Sequence, residues 1–92
     1  MWRARALGDL EAIARKISAG SIHGAEKLLR TIAAQAALLA SHPNMGRTGR
    51  EAGTRELIVH RHYSMVYKVV GDRVYVLRIL HTSRQWPKPG TS

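Results

Sequence analysis

The sequence predicts an α+β domain: an N-terminal αα-hairpin packed on one face of a small C-terminal antiparallel β-meander of about three strands. Three observations carry this. Apolar residues recur at spacings of three and four as far as residue 40, β-branched and aromatic residues concentrate after residue 53, and the links between segments are short. At 92 residues the chain is read as a single domain, 1–92.

The first helix is expected over about 6–19. Leu7, Leu10, Ile13, Ala14 and Ile17 form its apolar stripe, with Asp9, Glu11, Arg15 and Lys16 mostly elsewhere. Gly20 suits the left-handed residue that closes a helix, and Ser21 suits the N-cap of the next one. The second helix is expected over about 22–40, with Ala25, Leu28, Leu29, Ile32, Ala36 and Leu39 on one side. Ser41-His42-Pro43-Asn44 stops it, because the residue before a proline is driven out of helical geometry. A link this short makes the helices antiparallel, so their joint stripe can cover one face of a sheet.

Pro43 to Gly53, PNMGRTGREAG, reads as a flexible crossover between the two layers. A second reading makes it a mobile arm from which Arg47 and Arg50 reach an anionic target. Its glycine spacing is no phosphate cradle, since a helix precedes it and no Lys-Ser/Thr follows.

Strands are expected at about 54–60, 64–70 and 73–80. Val70-Gly71-Asp72-Arg73 is a two-residue hairpin signal, whereas the reversal at 60–63 has neither Gly nor Pro. Strict alternation would put Met65, Tyr67 and Val69 on one face of the middle strand, and Val66, Lys68 and Val70 on the other. In the last strand it would separate Tyr75, Leu77 and Ile79 from Val74, Val76, Arg78 and Leu80. One face is then wholly apolar and packed, and the other carries isolated cations. Lys68 and Arg78 either solubilise that second face or meet a partner on it. The tail, 88–92, is expected to lack order.

Composition narrows the partner. Fifteen Lys+Arg against six Asp+Glu leave a formal charge of +9, which favours an acidic partner, either nucleic acid or an acidic protein segment. There is no Cys, so disulfides and thiolate metal sites are excluded, and a cytoplasmic setting is the expectation. No apolar leader and no run long enough to cross a membrane is present.

Five histidines invite a metal reading, but no pair stands at i, i+4 on a helix. His60 and His62 share a parity with no carboxylate to complete a set. Ser64 and Ser83 lack the strand–turn–helix context of a catalytic serine. Neither a cofactor, a metal nor a small-molecule substrate is expected. The densest functional chemistry ends the last strand: His81, Thr82, Ser83, Arg84, Gln85, Trp86, Pro87. His81 could move a proton near neutral pH, Arg84 could hold a phosphate bidentately, and Trp86 could stack on a base. Such a trio could cleave RNA without a metal or only bind a polynucleotide. A bland alternative has Trp86 covering the sheet edge.

At these residues the chain resembles the RelE/ParE superfamily, the toxin halves of type II toxin–antitoxin modules. The resemblance spans nearly the whole chain and rests on Gly53-Thr-Arg-Glu-Leu57, Tyr63-x-x-Val-Tyr67 and Leu80-His-x-x-Arg84-x-Trp86. It implies a cognate antitoxin whose C-terminal region wraps the toxin. It also implies a strand before the first helix, for which only Met1-Trp2-Arg3 remain. A truncated first strand would leave a sheet edge that the antitoxin could cover by strand addition.

The superfamily has two activities. Members that cleave mRNA on the ribosome resemble Tyr-Arg-Leu-Val-Tyr in the middle strand, with a catalytic Arg second; here Ser64 takes that place. Losing one such charge donor typically costs on the order of 10²–10³ in rate. Their basic sheet and C-terminal Tyr also lack clear counterparts, although Arg84 matches a cation they use. The leading expectation is therefore a ParE-like toxin that binds DNA gyrase, with Arg47, Arg50, Lys68, Arg78, Arg84 and Trp86 as target-binding candidates. The alternative is a ribosome-dependent mRNA endoribonuclease with His81 and Arg84 as catalytic residues.

Overall fold

The structure is a computed structural model and describes residues 1–83. Helix α1 (Ala4–Ser18) and helix α2 (Ile22–Ser41) precede strands β1 (Arg47–Thr48), β2 (Arg55–His60), β3 (Tyr63–Val70) and β4 (Arg73–His81). The four strands form one antiparallel sheet in the order β1-β2-β3-β4. The helical hairpin covers one face, and Ala6, Leu28, Ile32, Leu39, Val59, Met65, Tyr67, Val76 and Ile79 form the core between the layers.

Local signals explain most boundaries. The Ser21 hydroxyl accepts from the Gly24 N–H at 2.9 Å and caps α2. Gly20, expected in the left-handed region, is not there; α1 ends through ordinary backbone bonds from the Gly20 and Ser21 N–H groups to the Ile17 carbonyl. Gly71 does take positive φ, 62°, at the first position of the Gly71-Asp72 loop, the geometry of a type II′ hairpin. The Gly-free reversal at Arg61-His62 is closed from outside. The Thr82 N–H donates to the His62 carbonyl at 2.8 Å, and the Thr82 hydroxyl to the Arg61 carbonyl at 3.2 Å.

Three expectations need correction. Strict alternation fails in the last strand. Val66 faces Arg78 while Tyr67 faces Val76, so Leu77 is an extra residue. This bulge exchanges the two sides of β4. Val74, Val76 and Ile79 face the helices with Met65 and Tyr67, whereas Tyr75, Arg78 and Leu80 share the second face with Val66 and Lys68. Leu7, assigned to the packed stripe, is half exposed.

The crossover is a fourth strand rather than a flexible loop. Tyr67, fully buried, donates its hydroxyl proton to the Pro43 carbonyl at 2.8 Å and accepts from the Gly46 N–H at 2.9 Å. The Arg55 guanidinium donates to the Gly46 carbonyl at 2.8 Å. Glu56, only 8% exposed, accepts from the Arg50 N–H at 3.0 Å. A Cβ at Gly46 would stand 2.8 Å from both the Tyr67 hydroxyl and the Glu56 carbonyl oxygen, so glycine is needed for the close approach.

The residues before α1 add one parallel bridge to the sheet, between Trp2 and Val76. The Val76 N–H donates to the Met1 carbonyl, and the Arg3 N–H to the Val76 carbonyl. That part of the β4 edge is therefore already paired. One residue pair then joins α1 to the next stretch of the edge. Asp9 accepts two bonds from Arg78, at 2.7 and 3.0 Å, and a third from the Ile79 N–H at 3.0 Å.

Two stability outcomes follow from these anchors. Tyr67→Phe strands a buried N–H and removes both bonds to the crossover, so unfolding free energy should fall by about 1–3 kcal/mol. Amide exchange at Gly46 should accelerate with it. The Asp9 and Arg78 side chains are 18% and 16% exposed. Asp9→Ala leaves a shielded guanidinium unpaired and should cost about 2–4 kcal/mol in chemical denaturation. Glu11→Ala removes the partner of Arg15 in a pair that is over 70% exposed on both sides, and should change stability by under about 0.5 kcal/mol.

Candidate macromolecule-binding face

The second face of the sheet gathers residues from all four strands. Antiparallel register sets Arg47 beside Glu56, Glu56 beside Val66, Ile58 beside Ser64, and Val66 beside Arg78. A concavity of about 160 Å³ opens among them, lined by Arg47, Arg50, Glu56, Ile58, Ser64 and Thr82 over a floor of Val66 and Leu80. Val66 and Leu80 are buried although they point away from the helices, while Ile58 is 59% exposed. The floor is thus apolar and the rim cationic.

Glu56 organises this rim. One carboxylate oxygen accepts from the Arg50 N–H, and the other stands 3.7 Å from the Arg47 guanidinium. Arg47 itself is two-thirds exposed, so it can meet an incoming anion without leaving its place. The two arginines expected on a mobile arm are therefore presented by a short strand and the bend that follows it. Lys68 lies two residues along β3 from Val66, on the same face and partly buried. Tyr75 completes the far end, with the Arg3 guanidinium 4.6 Å from its ring centroid, within cation–π range.

Arg78 occupies a different situation from the free surface cation that alternation suggests. Its guanidinium is held by Asp9, and that hydrogen bond, with the carboxylate's charge, raises its pKa above the ordinary arginine value against the opposing effect of burial. A group whose folded-state pKa is raised contributes stability below its ordinary value and loses it only in strong alkali. Arg78 therefore stays charged at every physiological pH, as one half of a clasp. Nothing local to Asp9 marked it as that partner, because the two residues lie 69 positions apart.

His81 belongs to the other side of the sheet. It pairs with Tyr63, on the helix-facing parity, and lines a separate cavity against α1 with Asp9, Ile13 and Lys16. Its ring stacks on His62 at 5.6 Å and meets the edge of Tyr63, also at 5.6 Å. Among the described residues no group of three or more His, Cys, Asp or Glu is placed to hold a metal ion. No described helix is long and apolar enough to cross a membrane. Arg84 and Trp86 lie outside the described residues.

Comparison with known proteins agrees with this architecture. Residues 1–86 match the family described as the ParE toxin of the type II toxin–antitoxin system, parDE. The chain is 33% identical over 88 residues to "Putative toxin Y4kP" of Sinorhizobium fredii, covering 95% of this chain and 91% of that one. It is 36% identical over 84 residues to Toxin RelE2 of Caulobacter vibrioides, covering 91% and 94%. A solved chain from the chromosomal ParDE TA system of P. aeruginosa superposes with a TM-score of 0.77 at 27% identity, over 87% of this chain and 90% of that one. The α+β fold is the one that solved toxin system contains. The chain belongs to the ParE toxin family of type II toxin–antitoxin systems, and as the toxin member of such a pair it has a cognate antitoxin for a partner.

Proposed function

We propose that this toxin acts by binding and poisoning DNA gyrase, with no chemistry of its own, through the cationic second face of its sheet. The reading rests on one observation. His81 and the described candidate cations Arg47, Arg50 and Lys68 stand on opposite faces of the sheet. His81 opens toward α1, while Arg47 and Arg50 line the concavity of the second face and Lys68 shares that face. Phosphodiester cleavage needs the base within hydrogen-bond reach of the attacking hydroxyl while cations hold the same phosphate. A phosphate seated between Arg47 and Arg50 has the sheet between it and the His81 ring. Ser64 points into the concavity where the resembling ribonucleases carry a catalytic arginine. Both features favour a docking surface over a cleavage site, and the match to the ParE family points the same way.

Arg47, Arg50 and Lys68 are the target-contacting residues in this reading; Arg84 and Trp86, also expected to contact the target, lie outside the described residues. Arg78 supports the surface from its clasp and does not bind the target directly. The charges of the face steer encounter with an acidic surface, and the exposed Ile58 supplies apolar contact.

Expression of the chain without its antitoxin should inhibit supercoiling and produce double-strand DNA breaks, with no codon-positioned mRNA cuts. Lys68→Glu should weaken supercoiling inhibition by on the order of tenfold while leaving the fold intact. His81→Ala should leave it within about twofold of wild type. Codon-positioned cuts abolished by His81→Ala would instead establish the ribosome-dependent endoribonuclease.

A further inference from the structure

The concavity of the second face has the size of a single side chain. Its volume, about 160 Å³, lies well below the roughly 300–1,000 Å³ of small-molecule sites. We propose that it receives one apolar side chain of an extended acidic protein segment, with a carboxylate two residues along that segment meeting the Arg47 guanidinium. This rests on the reading that the target meets the second face, and goes further in naming the chemistry of the segment that docks there.

The two ends of the concavity differ in kind. At one end Ile58, mostly exposed, lies opposite Ser64, and Leu80 stands beside Ser64 on the next strand. At the other end the buried Glu56 faces Arg47 across the β1–β2 ladder and holds its guanidinium at 3.7 Å. An aliphatic surface and a positioned, largely exposed cation are thus presented side by side. Glu56 and Ile58 alternate along β2, so the two ends are about 7 Å apart. An extended segment shows its own alternate side chains at the same interval, and one apolar and one acidic residue in that order match both ends at once.

Charge decides between a protein segment and a polynucleotide. The lining holds two arginines and one glutamate, a net of one positive charge. Duplex DNA carries about one negative charge per 1.7 Å of its axis and is held by several cations set directly on its phosphates. A phosphate on Arg47 would have the Glu56 carboxylate for a neighbour, and the sugar–phosphate backbone has no apolar group to lay on Ile58. A side-chain carboxylate brings a single charge, and the chain that carries it can place an apolar group next to it. Protein interfaces concentrate their energy in such anchors, where an apolar side chain fills a small pocket and a polar rim keeps water out. Arg47, Arg50, Ser64 and Thr82 form that rim here.

The test is a nuclear magnetic resonance titration of the full chain with three probes. Two are peptides, acetyl-Glu-Thr-Leu-Thr-Glu-amide and its counterpart with Ser in place of Leu, and the third is a short DNA duplex. Saturable shifts should centre on Arg47, Ile58 and Ser64, with the Leu peptide bound at least about fivefold more tightly than the Ser peptide. Ile58→Asn, at an exposed strand position, should bring the two peptides within about twofold of each other. Arg47→Gln should weaken both by at least about threefold and leave their ratio unchanged. Equal binding of the two peptides, or a ratio unmoved by Ile58→Asn, would overturn the proposal. Tighter binding of the duplex at the same three residues would overturn it in favour of a nucleic-acid site. Failure of the chain to inhibit supercoiling would remove the gyrase reading and leave the peptide result standing, because no arm of the titration contains gyrase.

Discussion

The carboxylate of Asp9 is the constraint on which the architecture depends. A two-layer fold this small has few contacts between its helical hairpin and its sheet edge, and β4 is an edge strand for most of its length. Asp9 ties α1 to that edge with three charge-assisted hydrogen bonds, two to the Arg78 guanidinium and one to the Ile79 N–H. The third bond satisfies a donor that would otherwise invite another strand. Because Leu77 is an extra residue in the β3–β4 ladder, the chain can bring Arg78 to the edge while Val76 and Ile79 both reach the core. Bulge and ion pair are mutually dependent features.

A second anchor makes the other end of the sheet a surface with defined chemistry. Tyr67 sends its hydroxyl through the core to the Pro43 carbonyl and the Gly46 N–H, and Glu56 draws Arg50 and Arg47 onto the second face. The crossover thereby becomes a strand, and two arginines become a fixed rim over Val66 and Leu80. Fixed cations lose less conformational freedom on meeting a partner than cations on a loose arm, which suits them to recognition. A chain of formal charge +9 thus holds two of its cations in defined positions on one face of the sheet.

The two anchors were unequally legible. Gly46 sat in a segment read as a flexible crossover, and its purpose was not visible, because the atoms that demand a bare Cα belong to Glu56 and to Tyr67, the latter twenty-one residues away. Ser21 as a cap and Gly71 as a turn residue were readable, since each acts on a backbone group within a few positions. Asp9 looked like an ordinary polar-face residue of an amphipathic helix. The face assignment of the last strand was wrong for Val74, Val76 and Tyr75 because a bulge shifts parity without any composition of its own. His81 was identifiable as chemically capable, yet its side of the sheet followed only from pairing with Tyr63.

The sequence by itself determined the kind and order of the elements, two amphipathic helices followed by a meander, and the excess of positive charge. Periodicity, caps and hairpin turns are written within a few residues of where they act. Only the tertiary structure decided which cations are spent and which stay available, with Arg78 clasped and Arg47 presented, and which face His81 serves. Those outcomes depend on register and on partners up to seventy positions apart, and a short-range pattern carries no information about which distant carboxylate will arrive beside a given guanidinium.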